Sequence, residues 1–202
     1  NWFEGIGGDG GQSTIGRGGA ARMHTYYGPS GDVNFHQGDP TKWAYNTGPM
    51  DAASVDAGGD EAFSFYVPLI GDPRVEGTTF VGGQHVWRTK DDGGSQAYLE
   101  ANCLEGAFTV PPAQCGDFGR VGPKVAANPA NYIVALARAP SDTGTLWIGL
   151  RRGDLLISGN ADAAAADVTY APVTAPGLPG RFVSSIAVDP ADPYHAFVSY
   201  SG

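Results

Sequence analysis

The residues able to do chemistry are few and widely spaced. Asp9 stands in Gly7-GDGG, where small neighbours expose the backbone around its carboxyl. Acid–base work needs partner groups within reach of the same substrate. Glu4, and either Asp60 or Glu61, are the carboxylates that could join it. The competing reading is that Asp9 only orders a glycine-rich turn. The segment is not a phosphate loop, because no Lys-Ser/Thr pair follows it. His24, His36, His85 and His195 show no metal-ligand spacing and read as solvent-facing strand residues. No nucleophile elbow is present, so no Ser-His-Asp set can be argued. The Asp91-Asp92 pair has the hard oxygens that Ca²⁺ takes, although such a pair also serves simply to stabilise a turn.

Aromatic residues offer a second kind of chemistry. The flat face of an indole or phenol ring packs on the apolar face of a pyranose. Trp2, Trp43, Tyr26 and Tyr27 are the ligand-contact candidates. Trp87 and Trp147 read instead as core. The two cysteines close one loop, Cys103-LEGAFTVPPAQ-Cys115, and are expected to form a disulfide, with two free thiols as the alternative.

The elements that must position these groups are short. Glycine (31) and proline (15) are abundant among the 202 residues, a composition of many brief strands and many turns. Charged residues make up only 16%, against 42% hydrophobic, so a packed core rather than a disordered chain is expected. The formal net charge of −9 repels phosphate backbones and anionic membranes, so no nucleic acid or membrane partner is expected. No window is apolar enough to span a bilayer as a helix. Asn1 rather than Met stands first and no secretory leader is visible, so the chain is expected to be a processed product or a fragment.

An internal repeat sets the architecture. Pro73-RVEGTTFVGG, Pro140-SDTGTLWIGL and Pro190-ADPYHAFVSY align without gaps. Each carries an aromatic seven residues after the proline (Phe80, Trp147, Phe197) and a β-branched residue one further on (Val81, Ile148, Val198). An apolar strand precedes each proline: Phe63-SFYVPLI, Tyr132-IVALA and Phe182-VSSIAV. Third strands are read at His85-VWRTK and Asp154-LLIS, and fourth strands at Ala97-YLEA and Asp167-VTYAPV. Four more are read at Gly7-GDGGQSTIG, Met23-HTYY, Val33-NFHQ and Lys42-WAY, with a loop from Gly48 to Asp60. Ala161-DAAAAD reads as a turn or a single helical turn. Four short strands per unit is the size of one propeller blade. The expected fold is all-β, a partial β-propeller of about three and a half blades. Their bounds are 1–60, 61–130 with the cysteine loop inserted, 131–178, and an incomplete 179–202. Missing blades or a second copy would complete the ring.

Thr89-KDDGG-Ser95 resembles the Asp-box, S/T-x-D-x-G-x-T-W/F, through Thr89, Asp91 and Gly93. Ser158-GNADA occupies the equivalent place one unit later, with Asn160 in the Asp position. Together with Val86-WRTKDDGG and Arg181-FVSSIAVDP, the chain is similar to secreted bacterial BNR/Asp-box, sialidase-like β-propellers. That resemblance implies a propeller and export from the cell. It does not imply one activity, because such turns are structural and occur in enzymes and inactive modules alike. The arginine clamp of a sialidase is not matched: no arginine lies in a Phe-Arg-Ile-Pro context, and Arg151 and Arg152 are adjacent. The expected function is a secreted binding or scaffold module for polysaccharide or protein. The alternative is a glycoside hydrolase with carboxylate acid/base catalysis, Asp9 and Glu4 being its candidate residues.

Overall fold

The computed structural model describes residues 10–36, 39 and 41–202. They form four antiparallel sheets that follow one another along the chain. Sheet 1 holds β1 (Ser13–Ile15), β2 (Arg22–Thr25), β3 (Gly31–Asn34) and β4 (Trp43–Tyr45). Sheet 2 holds β5 (Leu69–Gly71), β6 (Thr79–Gly82), β7 (Val86–Thr89) and β8 (Gly119–Val121). In sheet 3 are β9 (Ile133–Arg138), β10 (Leu146–Leu150), β11 (Leu155–Ser158) and β12 (Ala171–Pro172). Sheet 4 pairs β13 (Val183–Val188) with β14 (Ala196–Tyr200). Within each sheet the strands lie in chain order, and the first strands β1, β5, β9 and β13 adjoin from sheet to sheet.

Three apolar cores lie between the four sheets, and the second strands show why. Adjacent strand residues point to opposite faces. Val81 packs back toward sheet 1 with Met23, Val33, Leu69 and Trp87, while Phe80 packs forward with Ile133 and Leu136 of sheet 3. One unit later Ile148 faces back into that second core, and Trp147 faces forward against Val183 and Ile186 of sheet 4. The aromatic of the repeat thus always looks downstream and its β-branched neighbour upstream. Val198 keeps this rule in the third core, whereas Phe197 is 70% exposed. Glycine follows the pair in two units for a steric reason. A Cβ on Gly82 would meet the Ile133 side chain at 2.5 Å, and one on Gly149 would meet Val183 at 2.5 Å.

The hairpins joining first and second strands are closed by carboxylates. Asp72 accepts from the Arg74 and Val75 amides, and Asp142 from the Gly144 and Thr145 amides. Asp72 also accepts from Arg138 Nε at 2.7 Å, a fully buried pair linking sheets 2 and 3. Arg138 further reaches Asp162 and lies over the Phe80 ring, so its charge is compensated where water is absent.

Three local readings of the sequence are corrected. Ala97-YLEA is not a strand but part of helix α2 (Gln96–Asn102). Its Gln, Ala, Leu and Glu are strong helix formers, and Gln96 donates to Glu100 one turn on. The fourth strand of sheet 2 is instead β8, after the cysteine loop. Gly48 to Asp60 is not a plain loop: it holds helix α1 (Gly48–Ala53), with Pro at its start, and a 3-10 turn at Val55–Ala57 whose amide is capped by Ser54. Of Phe63-SFYVPLI only the end is regular, in β5. Ala165–Asp167 forms a single 3-10 turn.

The Cys103–Cys115 disulfide is present, and both cysteines are buried. The chain around Cys103 pairs with the outer edge of β4: Tyr45 N–H donates to the Cys103 carbonyl, and Glu105 N–H to the Trp43 carbonyl. On the other side of the loop, Gly48 N–H donates to the Cys115 carbonyl. A loop of sheet 2 therefore covers an otherwise open edge of sheet 1. Replacing both cysteines by alanine is expected to cost about 2–4 kcal/mol. The check is urea unfolding, where the midpoint should fall in the variant and in the reduced protein alike.

Candidate functional site

The face of sheet 1 turned away from the first core is polar and aromatic. Register fixes this: His24 pairs with Asp32 and Asp32 with Tyr45, so these side chains share a face, opposite Met23, Val33 and Ala44. The Tyr26 hydroxyl donates to Asp32 Oδ2 at 2.6 Å and meets Glu105 Oε1 at 3.0 Å. One phenol therefore lies between two carboxyls, one from β3 and one from the cysteine loop. The edge of the His24 ring meets Trp43 at 4.9 Å and Tyr26 at 4.6 Å between centroids. Both ring nitrogens of His24, Trp43 Nε1 and Asp32 Oδ1 are buried without a hydrogen-bond partner.

Burial governs ionisation here. It pushes the Asp32 carboxyl up to about 7; the Tyr26 bond works against this, and the charges of Glu105 and Asp51 add to it. The Tyr26 and Tyr45 phenols are raised, chiefly by burial and then by the neighbouring acids. Burial also lowers His24, against the pull of Glu105. The face thus favours neutral groups at mildly acidic pH.

Asp51, from α1, connects this face to an open cleft. It accepts hydrogen bonds from Ser30 Oγ and from the Tyr45 hydroxyl, and burial raises its carboxyl. The cleft consists of two adjoining hollows of about 290 and 300 Å³ between the Tyr27–Ser30 turn and the segment from Ser54 to Ala57. Asp51, Asp56 and Ser30 line its floor and walls. At the rim, Tyr27 (63% exposed) stacks on Phe65 (56%), with centroids 6.1 Å apart and planes 27° apart. Tyr66 (59%) stands edge-on to Phe65. The rings are held by backbone: Gly28 N–H donates to the Phe65 carbonyl, and Gly28 bridges Tyr66. Gly28 has φ +66, a left-handed conformation that glycine adopts readily.

The residues singled out from sequence are dispersed. Trp2, Glu4 and Asp9 lie outside the described residues. Tyr27 presents its ring to solvent, while the hydroxyl of Tyr26 is engaged internally and Trp43 is half-buried beside His24. Asp60 holds Arg120 and Lys124, and Glu61 is buried, accepting from the His85 amide and ring. The histidines are not simply solvent-facing. His85 is buried on Glu61, the nitrogens of His24 are buried, His36 bonds to Glu100, and only His195, on Asp189, is exposed. Side-chain pairing in the sheet and across the cysteine loop decides this, and strand alternation alone does not reveal it.

The Thr89–Ser95 turn, expected from the sequence to be Asp-box-like, is closed by Thr89 rather than by Asp91. Thr89 Oγ1 accepts from the Asp91 and Gly93 amides and donates to Asp117, while Asp91 is exposed. Gly93 has φ +88, as the motif requires. In the second copy Ser158 accepts from the Asn160 amide, and Asn160 accepts from Thr169 N–H. Asp92 is raised by burial and by the charges of Asp91, Glu76 and Asp117. Among the described residues no group of three or more His, Cys, Asp or Glu converges as a metal ion would need.

Sequence reasoning missed Asp32, Asp51, Asp56, Phe65, Tyr66 and Glu105. The exposed pair Phe65-Tyr66 was hidden in an apolar run, although adjacent aromatics cannot both face one side of a strand.

These shifts set a pH window. Asp32 and Asp51 are raised, so their stabilising effect is complete below the ordinary carboxylate range and is lost as pH rises, for Asp32 through about 7. Glu61 has the opposite sign. Burial alone would raise it, but the His85 hydrogen bonds and the His85 and Arg120 charges outweigh burial and hold it low. Its contribution is lost as pH falls below the ordinary carboxylate range. Stability is therefore expected to peak at about pH 4–5 and to fall by on the order of 2–3 kcal/mol by about pH 7, levelling off above it. Denaturant melts across pH test this, and Asp32→Asn should flatten the alkaline limb.

No protein-family model matches this chain, and a search of curated proteins finds no match.

Proposed function

We propose that this chain is a segment of a secreted, sialidase-like β-propeller that binds polysaccharide through the Tyr27–Phe65–Tyr66 cleft. The observation that carries the reading is the exposed ring stack beside a floor of hydroxyl and carboxyl oxygens. Aromatic faces take the apolar faces of sugar rings, and the oxygens accept from sugar hydroxyls. The buried disulfide supports an oxidising compartment. The propeller reading is supported by four consecutive meander sheets whose first strands adjoin.

A hydrolase reading has one observation in its favour. Asp32, raised to about 7, shares the Tyr26 hydroxyl with Glu105. A neutral acid near a second carboxyl is the arrangement a retaining glycosidase uses. The nearest oxygens are separated by no more than those two hydrogen bonds, too little for the ~6.5–9.5 Å of an inverting pair. Asp32 is buried behind the cleft, so binding is the better-supported reading.

Affinity electrophoresis on immobilised plant and bacterial polysaccharides tests both readings. Retention is expected, with up to roughly tenfold weaker binding in Tyr27→Ala, taking one ring contact as worth about 0.5–1.5 kcal/mol. Product release that Asp32→Asn abolishes would replace the binding reading with hydrolysis; no retention on any polysaccharide would remove both.

The partial-ring reading makes its own claim about Phe197. Phe80 and Trp147, its counterparts, are each covered by the following sheet. Ser199 stands where they are followed by Gly82 and Gly149, so a covering strand would sit further out. A further sheet, or a second copy, is expected on this face. In sedimentation experiments the 202-residue chain should associate with rising concentration, and Phe197→Ser should reduce that association. A chain that stays monomeric at high concentration would count against it.

A further inference from the structure

The lining of the cleft narrows the class of polysaccharide. Asp51 and Asp56 are its charged residues, and no Lys, Arg or His lines either hollow. Behind Asp51 lie further acids, Asp32 and Glu105. Arg120 and Lys124 are already held by Asp60 and Glu61. An anionic polymer would meet uncompensated carboxylates, whereas a cationic one would gain an ion pair with the exposed Asp56 that a neutral one lacks.

The ring stack supplies the other half of the argument. Cations are attracted to the faces of Tyr and Phe, most strongly where a carboxylate is also within reach. The ligand must then combine a flat apolar face for Tyr27 and Phe65 with a positive charge for Asp56 and Asp51. Backbone groups at the rim do not favour an extended peptide. Gly28 N–H is bonded to the Phe65 carbonyl and Asp56 N–H to Ser54 Oγ, so these donors are closed to strand addition. What remains is side-chain faces and oxygens, which suit a ring bearing hydroxyls and an ammonium group.

We infer that the Tyr27–Phe65–Asp56 cleft binds a cationic amino-sugar polymer, a chain of hexosamine units carrying free amino groups. This rests on the polysaccharide reading above and adds the charge of the ligand to it. Asp56 pairs with the ammonium at the cleft mouth, Tyr27 and Phe65 carry the sugar face, and Ser30 and Asp51 accept from hydroxyls.

Calorimetric titration with three oligosaccharides of equal length tests it: β-1,4-glucosamine, its fully N-acetylated form, and a neutral β-glucan. The glucosamine oligomer is expected to bind at least about threefold tighter than the acetylated one at low salt, the range an exposed ion pair supplies. That margin should shrink at high salt and disappear in Asp56→Asn, whose melting temperature should be unchanged because Asp56 is exposed. Tyr27→Ala should weaken all three ligands together. Equal affinity for charged and acetylated oligomers would overturn the inference and leave the polysaccharide reading standing. Binding of none of them would overturn the inference, and the polysaccharide reading would then stand or fall on the retention experiment. Binding of an arginine-rich peptide with no sugar bound would assign the cleft to a protein partner and overturn both.

Discussion

Sheets 2 and 3 carry apolar residues on both faces and must be covered on both, and that constraint organises the molecule. It arises from the second strands, where a large aromatic and a β-branched residue are adjacent and so point to opposite sides. A single such sheet would expose one of the two to water. Stacking sheets in chain order resolves this for Phe80 and Trp147, which find their cover in the next unit, and for Val81, Ile148 and Val198, which find theirs in the one before. The glycine after the pair in two units lets the next first strand come close enough to close the gap. Charge is admitted to these seams only where it is compensated, as Arg138 is by Asp72 and Asp162.

The first sheet has a different outer face, and the proposed chemistry follows from that difference. Its apolar residues are turned toward sheet 2, leaving His24, Tyr26, Asp32, Trp43 and Tyr45 on the other side. Those groups could not be left unpaired in a dry interior without cost. The Tyr26 hydroxyl meets part of the requirement by bonding to Asp32 and Glu105, while the His24 ring, Trp43 Nε1 and Asp32 Oδ1 stay unpaired. Asp51 is held at the surface by Tyr45 of the same face and by Ser30, so the cleft's floor is set by the packing of a sheet rather than by a free loop. The rings above it are similarly fixed, through the backbone bond between Gly28 and Phe65.

Much of the fold was legible because it repeats. The spacing from proline to aromatic located the second strands of three units, and the apolar runs before Pro140 and Pro190 located β9 and β13. Legibility failed where a segment serves another unit. Ala97-YLEA has strand-like alternation, yet Leu99 alone faces the core and the segment coils into α2. The site was far less legible. Asp32 is an ordinary acid in the sequence; only its pairing opposite His24 and Tyr45 buries it. Glu105 meets Tyr26 because the disulfide loop folds back across β4, a contact no local pattern encodes. In the Thr89–Ser95 turn Asp91 is exposed, and Thr89 closes the turn.

The pairing of the Cys103 segment with β4 has a consequence for how the chain is made. The two partners are separated in sequence by the whole of α1 and three strands of sheet 2. Such non-local pairing is slow to form, because a long loop must close first. During synthesis the edge of β4 emerges well before the segment that will cover it. Until then that edge is open to other chains, the situation in which strands mispair or aggregate. Oxidation of the two cysteines shortens the search by holding the covering loop in a compact shape. The loop that seals the first sheet therefore becomes available only when most of the second has been made.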